Sequence, residues 1–209
     1  MSYLTQKTIK NNVSFSGIAL HSGLKVNMCI KPGEVNSGII FKRVDLKDNN
    51  LVFPNFMNVT STSLNTTIEN EFGLKISTIE HLMCALFGLG IDNVIVEIDN
   101  EEVPILDGSA TEFVEGIRSV GLKEQKELRK YIKVKKKVEI QEGKKFISIE
   151  PLDKDLIVDF EIVYENPLIR RRRKEFKLSE GDLSNIYNSR TFCLYEDIDT
   201  IKSHGLAKG

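Results

Sequence analysis

A glutamate and a histidine stand side by side in the segment ISTIEHL, which spans residues 76–82. If a helix begins near Ser77, Glu80 and His81 lie in its first turn about 100° apart, so both side chains can border one cleft. The positive end of the helix dipole favours an ionised Glu80 and a neutral His81. Neutral imidazole binds metal ions, and a carboxylate beside a metal-activated water can act as a general base. This chemistry suits a hydrolytic zinc site.

The same spacing also has a simpler interpretation. Ser77 and Glu80 match the S-x-x-E capping box of a helix start. A single histidine on a helix is usually packed or solvated, and the segment lacks the H-E-x-x-H motif that would supply two ligands from one helix. Spacing alone therefore favours a structural role for both Glu80 and His81.

A few other residues could carry chemistry. His21 and His204 are the only other histidines, and their spacing from His81 does not indicate that the three converge. The Thr191 hydroxyl could donate a hydrogen bond to a developing oxyanion, although a strand or cap role is the favoured interpretation. Asp107 stands in an Asp-Gly-Ser turn and is predicted to be mainly structural.

Charge and cysteine content limit the possible functions. Lys and Arg number 29 against 30 acids, so the chain as a whole has no built-in attraction to nucleic acid or anionic lipid. The basic run at residues 170–174 could bind phosphates, but its position between strand-like segments predicts a solvated hairpin loop. The three cysteines lie far apart, which argues against a disulfide framework. Without a signal core or an apolar stretch of about 18 residues, we expect a cytoplasmic protein with no integral membrane segment and no nucleic-acid partner.

The elements that must position these residues are strands followed by helices. Short β-leaning runs fill the first sixty residues, and apolar spacing predicts a helix over about 77–90. An alternating strand at NVIVEID follows, and a second helix runs from a predicted Ser109–Glu112 capping box to Gly121. Strands packed on a pair of helices form a two-layer α+β unit.

The highly charged segment at residues 122–130 lacks core side chains and is predicted to contain the boundary between two domains, 1–126 and 127–209. Strand patterns resume after it, with Glu142-Gly143 predicted to turn the first hairpin. Helical patterns return near residues 179–190 and 196–203. No second strand-then-helix ending follows, so the second unit is expected to be incomplete.

Several motifs together resemble one known family. SGIALHSG, GIIFKRVDL, ISTIEHLMCALFGLGIDNVIVEI, VPILDGSA and SRTF occur in the order seen in the UDP-3-O-acyl-N-acetylglucosamine deacetylases. That family comprises zinc amidases of lipid A biosynthesis in Gram-negative bacteria. The resemblance implies an α+β fold of two similar two-layer β-α-α-β sandwich domains, of which this chain carries the first and the N-terminal part of the second.

The resemblance also implies a mechanism. Glu80 matches the general base and His81 one ligand of a Zn²⁺ ion, which activates the water that attacks the acetamide at C2 of the glucosamine, so that acetate leaves. Thr191 matches the residue that stabilises the oxyanion. Phe192 matches an aromatic residue that contacts the substrate, and Leu64 is expected near the zinc face.

One departure from the family pattern bears on activity. The family's second and third zinc ligands, a His and an Asp one helical turn apart, and a further His that acts as general acid come later than Gly209. His204 does not stand in an H-x-x-x-D pattern and is not predicted to replace them. We expect this truncated polypeptide to be inactive by itself and the complete protein to be a monomer. The alternative is a non-catalytic remnant that binds a nucleotide sugar.

Overall fold

The computed structural model describes residues 4–153, 155–178 and 183–209. The chain divides into two compact units. The first comprises Met1–Arg129 together with Ser184–Gly209, and the second comprises Lys130–Leu183.

The first unit contains ten strands, four α-helices and two short 3₁₀ helices, Phe56–Asn58 and Tyr195–Asp197, among its described residues. The strands are β1 (Thr5–Ile9), β2 (Val13–Ile18), β3 (Lys25–Pro32), β4 (Ile39–Arg43), β5 (Leu51–Val52), β6 (Val59–Ser61), β7 (Thr67–Glu69), β8 (Lys75–Ile76), β9 (Val94–Ile98) and β10 (Leu122–Leu128). The helices are α1 (Glu80–Gly88), α2 (Thr111–Val120), α3 (Ser184–Tyr187) and α4 (Ile198–Ser203).

A five-stranded sheet is the main framework of the first unit. Its order is β2-β3-β9-β4-β5, with β9 central, antiparallel to β3 and parallel to β4. Val94, Val96 and Ile98 of β9 are fully buried, which confirms the alternation predicted for NVIVEID. The ring of Phe113 on α2 meets Phe15 on β2 edge to face, with 5.1 Å between centroids. The mixture of strands and helices agrees with the predicted α+β class, and the repeated two-domain architecture stays a prediction.

Strand β10 occupies most of the charged segment at residues 122–130, for which no strand was predicted. It pairs antiparallel with β1, and Ile9 lies opposite Leu122. Its charged side chains are exposed, so apolar patterning could not reveal it; backbone hydrogen bonds hold it instead. The compact units also divide the chain differently from the predicted domains, because residues 184–209 group with the first unit. The division into family-type domains at 126/127 stays a prediction.

A buried amide network joins the β1–β10 pair to the main sheet. The side-chain nitrogen of Asn93 donates to Gln6 Oε1 at 2.8 Å and to Gln125 Oε1 at 2.7 Å. The side-chain oxygen of Asn93, Oδ1, accepts a hydrogen bond from the Gly38 backbone amide at 2.8 Å. Gln6 and Asn93 are both almost fully buried, so these bonds replace water that the amides have lost.

The second unit contains two β-hairpins among its described residues. Strand β11 (Val138–Glu142) pairs with β12 (Lys145–Ile149), which confirms the turn predicted at Glu142-Gly143. Strand β13 (Ile157–Val163) pairs with β14 (Arg171–Lys177).

The basic run lies mostly in β14, so the prediction of a hairpin loop is wrong. Arg171 and Arg173 face acidic residues on β13: Arg171 forms an ion pair with Glu161 at 2.8 Å, and Arg173 pairs with Asp159. These cross-strand partners make a run of like charge compatible with a strand.

The helices after the hairpins are short. Helix α3 falls in the first of the predicted helical regions, of which residues 179–182 lie outside the described part of the chain. Helix α4 confirms the second region. Within the described residues, no helix is both long and apolar enough to cross a membrane.

Replacing Asn93 by alanine is expected to lower the free energy of unfolding by about 2–3 kcal/mol, because it leaves buried partners of the amide network without hydrogen bonds. Urea unfolding followed by circular dichroism measures the change. Asn11→Ala is the control, since Asn11 is exposed and makes one long bond of 3.5 Å to the Val120 carbonyl. Equal losses in the two variants would contradict a stabilising role for the network.

Candidate functional site

Helix α1 begins at Glu80 rather than at Ser77, so the predicted Ser77–Glu80 capping box is wrong. Ile79 precedes the helix without a side-chain cap, and the Ser77 hydroxyl donates to the Glu101 carbonyl at 3.2 Å. The backbone of Ser77 is paired with the segment 101–103, which keeps it out of the helix. The next residue, Thr78, has a φ of +55° and turns the chain sharply into α1.

Because Glu80 does not cap the helix, its carboxylate lies at the helix N-terminus with a different partner. Glu80 Oε2 accepts a hydrogen bond from the Thr66 amide at 3.0 Å. Among the described residues, no hydrogen-bond donor meets Oε1. One oxygen thus orients the side chain while the other can meet a substrate or water.

His81 follows on the same turn and is partly buried. Burial lowers the pKa of its imidazole, against the opposing effects of the nearby Glu80 and Asp107 carboxylates. The helix dipole predicted a lowered pKa for His81 from the sequence, but desolvation is the main cause of the lowering. Neutral imidazole is the metal-binding form.

Asp107 belongs to the site's surroundings, although its sequence context indicated only a turn. Its carboxylate accepts hydrogen bonds from the Ser109 hydroxyl at 2.7 Å and from an Arg190 guanidinium nitrogen at 3.2 Å. These partners, Ser109 first, lower the pKa of Asp107 below its ordinary value. The electrostatic effect of Asp107 on His81 places the turn at Asp107 and the start of α1 in one region. In the sequence, only the place of Asp107 in the motif VPILDGSA connects this residue with the site.

The start of α2 differs from the predicted Ser109–Glu112 capping box, because Ala110 stands in the N-cap position. The helix begins at Thr111, not beside Ser109, and the Thr111 amide donates to Ser109 Oγ at 3.1 Å. Gly121 ends the helix with a φ of +79°, as predicted.

The C-terminal segment brings Thr191 to the same region. The Thr191 amide donates to the Gly108 carbonyl at 2.9 Å, directly beside Asp107. Thr191 and Phe192 are both exposed. Their predicted roles stay predictions, but their position next to Asp107 is compatible with them.

Leu64 lies in the loop that contacts Glu80. It is exposed, has a φ of +62°, and stands two residues before Thr66, whose amide holds the Glu80 carboxylate. The predicted location of Leu64 near the face of the candidate centre is compatible with this geometry.

The remaining histidines do not join His81 in a metal cluster. His21 is buried, and neither of its ring nitrogens has a hydrogen-bond partner among the described residues. His204 is exposed, with Nδ1 at 2.7 Å from the Thr200 carbonyl. No group of three or more His, Cys, Asp or Glu residues in the described ranges could hold a metal ion. His81 suits one ligand position of a zinc ion, but the described donor set is incomplete, and no catalytic step through zinc follows from it.

The fold and the site define a class of protein: an α+β protein whose candidate centre combines a carboxylate, a neutral imidazole and an exposed hydroxyl. Comparison with known proteins gives the family. Residues 6–209 match the LpxC family model, described as UDP-3-O-acyl N-acetylglycosamine deacetylase. The chain belongs to this family, which confirms the resemblance found in the sequence.

Curated relatives support the same assignment. The chain is 41% identical over 207 residues to the UDP-3-O-acyl-N-acetylglucosamine deacetylase of Shewanella violacea, covering 98% of this chain and 67% of the relative. It is 42% identical over 205 residues to the enzyme of that name from Geotalea uraniireducens, covering 98% and 66%. The chain thus spans about two thirds of the length of the curated relatives that it matches.

The lowered pKa of His81 predicts how stability depends on pH. Below its ordinary pKa of 6.5, the unfolded imidazole takes up a proton that the folded one resists, so folding stability falls as the pH drops through that range. Urea unfolding at pH 7.5 and at pH 5.5 should therefore differ less for His81→Gln than for the unchanged chain. His204→Gln is the control, because His204 is exposed. The same pH dependence in His81→Gln and the unchanged chain would contradict the burial argument.

Proposed function

We propose that this chain carries the base and one metal ligand of a zinc-dependent deacetylase that removes acetate from UDP-3-O-acyl-N-acetylglucosamine in lipid A biosynthesis. Family membership supports the reaction class. The observation that carries the proposal is the Glu80–His81 pair at the start of α1, where Glu80 does not cap the helix and burial lowers the pKa of His81.

Each residue has a defined task in this proposal. Glu80 Oε1 takes the proton of the attacking water, while the Thr66 amide fixes the other oxygen. The Thr191 hydroxyl donates a hydrogen bond to the oxygen of the scissile acetamide as negative charge develops on it. Phe192 and Leu64 contact the substrate.

His81 holds zinc through its neutral imidazole in this proposal. When bound, zinc supplies Lewis-acid polarisation of the reacting oxygen. Three protein ligands are usual at catalytic zinc, and the described residues offer no such group around His81. We infer that the further ligands lie outside the described residues and that the 209-residue polypeptide alone is inactive.

The cytoplasmic location and the monomeric state of the complete protein are also part of the proposal, with family membership as their support. The alternative function is that of a nucleotide-sugar binding module. Such a module would bind a UDP-sugar in the absence of zinc.

A comparison of the 209-residue polypeptide with a chimera tests the missing-ligand argument. In the chimera, the C-terminal third of the Shewanella violacea relative follows Gly209. We expect the polypeptide alone to retain substoichiometric zinc and to release no acetate, because one imidazole holds zinc weakly. The chimera should bind zinc stoichiometrically and release acetate. Stoichiometric zinc and turnover in the polypeptide alone would contradict the inactivity proposal, and tight UDP-sugar binding without zinc would favour the binding module.

Within the active chimera, Glu80→Gln is expected to lower kcat by at least about 100-fold, because the amide cannot accept the proton. Zinc content should stay unchanged. Glu112→Gln is the matched control, since Glu112 is an exposed acid in the first turn of α2. Acetate release measured at saturating substrate gives kcat. A full rate in Glu80→Gln would rule out the assigned base.

A further inference from the structure

Glu102 is a buried carboxylate to which the sequence analysis assigned no role. Only 2% of its surface is exposed. Glu102 Oε1 accepts hydrogen bonds from the His21 amide at 2.8 Å and from the Thr78 hydroxyl at 3.0 Å. Its Oε2 accepts from the Ser22 amide at 2.8 Å. A buried carboxylate is tolerated only when such donors replace its water, so the arrangement ties the 21–22 turn to the entry of α1.

The partner Thr78 is held in a backbone conformation that a β-branched residue rarely adopts. Its φ is +55°, and 2% of its surface is exposed. The surrounding contacts must maintain this strained conformation. Two backbone hydrogen bonds fix the preceding residue, Ser77. Its amide donates to the Glu101 carbonyl at 2.8 Å, and its carbonyl accepts from the Val103 amide at 3.1 Å. The Glu102 bond to the Thr78 hydroxyl adds the side-chain contact.

The turn at Thr78 determines where α1 begins. Glu80 is two residues further on, and its carboxylate is met by the Thr66 amide at 3.0 Å. The Ile79 amide in turn donates to the Thr66 carbonyl at 3.5 Å. A continuous set of contacts therefore runs from Glu102 through Thr78 and Ile79 to the bond between Thr66 and Glu80.

We propose that Glu102 is a positioning residue of the candidate site: its carboxylate fixes the strained turn at Thr78 and thereby the positions of Glu80 and His81. The meaning of those positions for catalysis rests on the proposed function. A carboxylate suits this place because both of its oxygens only accept hydrogen bonds. The amide nitrogen of a glutamine would point donor hydrogens at the backbone N–H of His21 or Ser22.

Amide hydrogen exchange in the ¹⁵N-labelled 209-residue chain tests this proposal. In Glu102→Gln, exchange of the Thr66 amide should accelerate at least about 10-fold, because local opening frees the bond to Glu80. Exchange of Val96, in the central strand β9, reports global unfolding and should stay within about twofold of the original rate. The His81 ring signals should shift as the start of α1 moves.

Two further variants make the outcome decisive. Glu101→Gln is the matched control, because Glu101 is the exposed neighbour whose backbone carbonyl, not its side chain, receives the Ser77 bonds. It should change neither Thr66 exchange nor the His81 signals. Thr78→Val keeps the β-branched shape but removes the hydroxyl donor, and it should accelerate Thr66 exchange even if Glu102→Gln does not fold.

Unchanged Thr66 exchange in Thr78→Val, and in Glu102→Gln if that variant folds, would overturn the positioning role. So would a parallel increase at Thr66 and Val96 in both variants, since it would show a purely global effect. The measurement requires neither zinc nor acetate release. Failure of the proposed deacetylase function therefore leaves the result for Glu102 interpretable, and failure of the Glu102 proposal leaves the function open to its own test.

Discussion

The turn immediately before helix α1 is the constraint on which the candidate site depends. Thr78 holds a positive φ inside the protein, bonded to the buried Glu102, and forces the helix to begin at Glu80. Had the helix begun at Ser77, the Glu80 carboxylate would have been available to cap it. Instead Glu80 meets the Thr66 amide, and His81 enters a partly buried environment. Local backbone strain is thus linked to the placement of the reactive side chains.

Two opposing effects act on the imidazole of His81. Burial disfavours its protonated form, whereas the carboxylates of Glu80 and Asp107 favour it. Burial is the larger effect, so the ring stays suited to bind a cation. The Asp107 carboxylate accepts hydrogen bonds from Ser109 and Arg190, and these bonds fix its position. The Thr191 amide donates a hydrogen bond to the Gly108 carbonyl in the same turn, so the exposed Thr191 lies next to Asp107.

Part of this arrangement could be predicted from the sequence, because apolar periodicity reports burial directly. The alternation in β9 was of this kind. Strand β10 was missed because backbone pairing and the Gln125 amide hold it while its charged side chains face water. The start of α1 was misplaced because a long-range pairing of Ser77 overrides its local capping preference. Glu102 could not be recognised, since a glutamate in the sequence does not reveal that three donors surround it.

Zinc stoichiometry and acetate release of the chimera carrying His81→Ala test the central claim most directly. If His81 is a metal ligand, this variant should lose most of its zinc and its acetate release, because a ligand cannot be removed without weakening the site. His204→Ala should keep its zinc and its acetate release, since the His204 ring is exposed and belongs to no metal-binding group among the described residues. Full zinc content and an undiminished rate in His81→Ala would contradict the assignment of the Glu80–His81 pair as part of a metal centre.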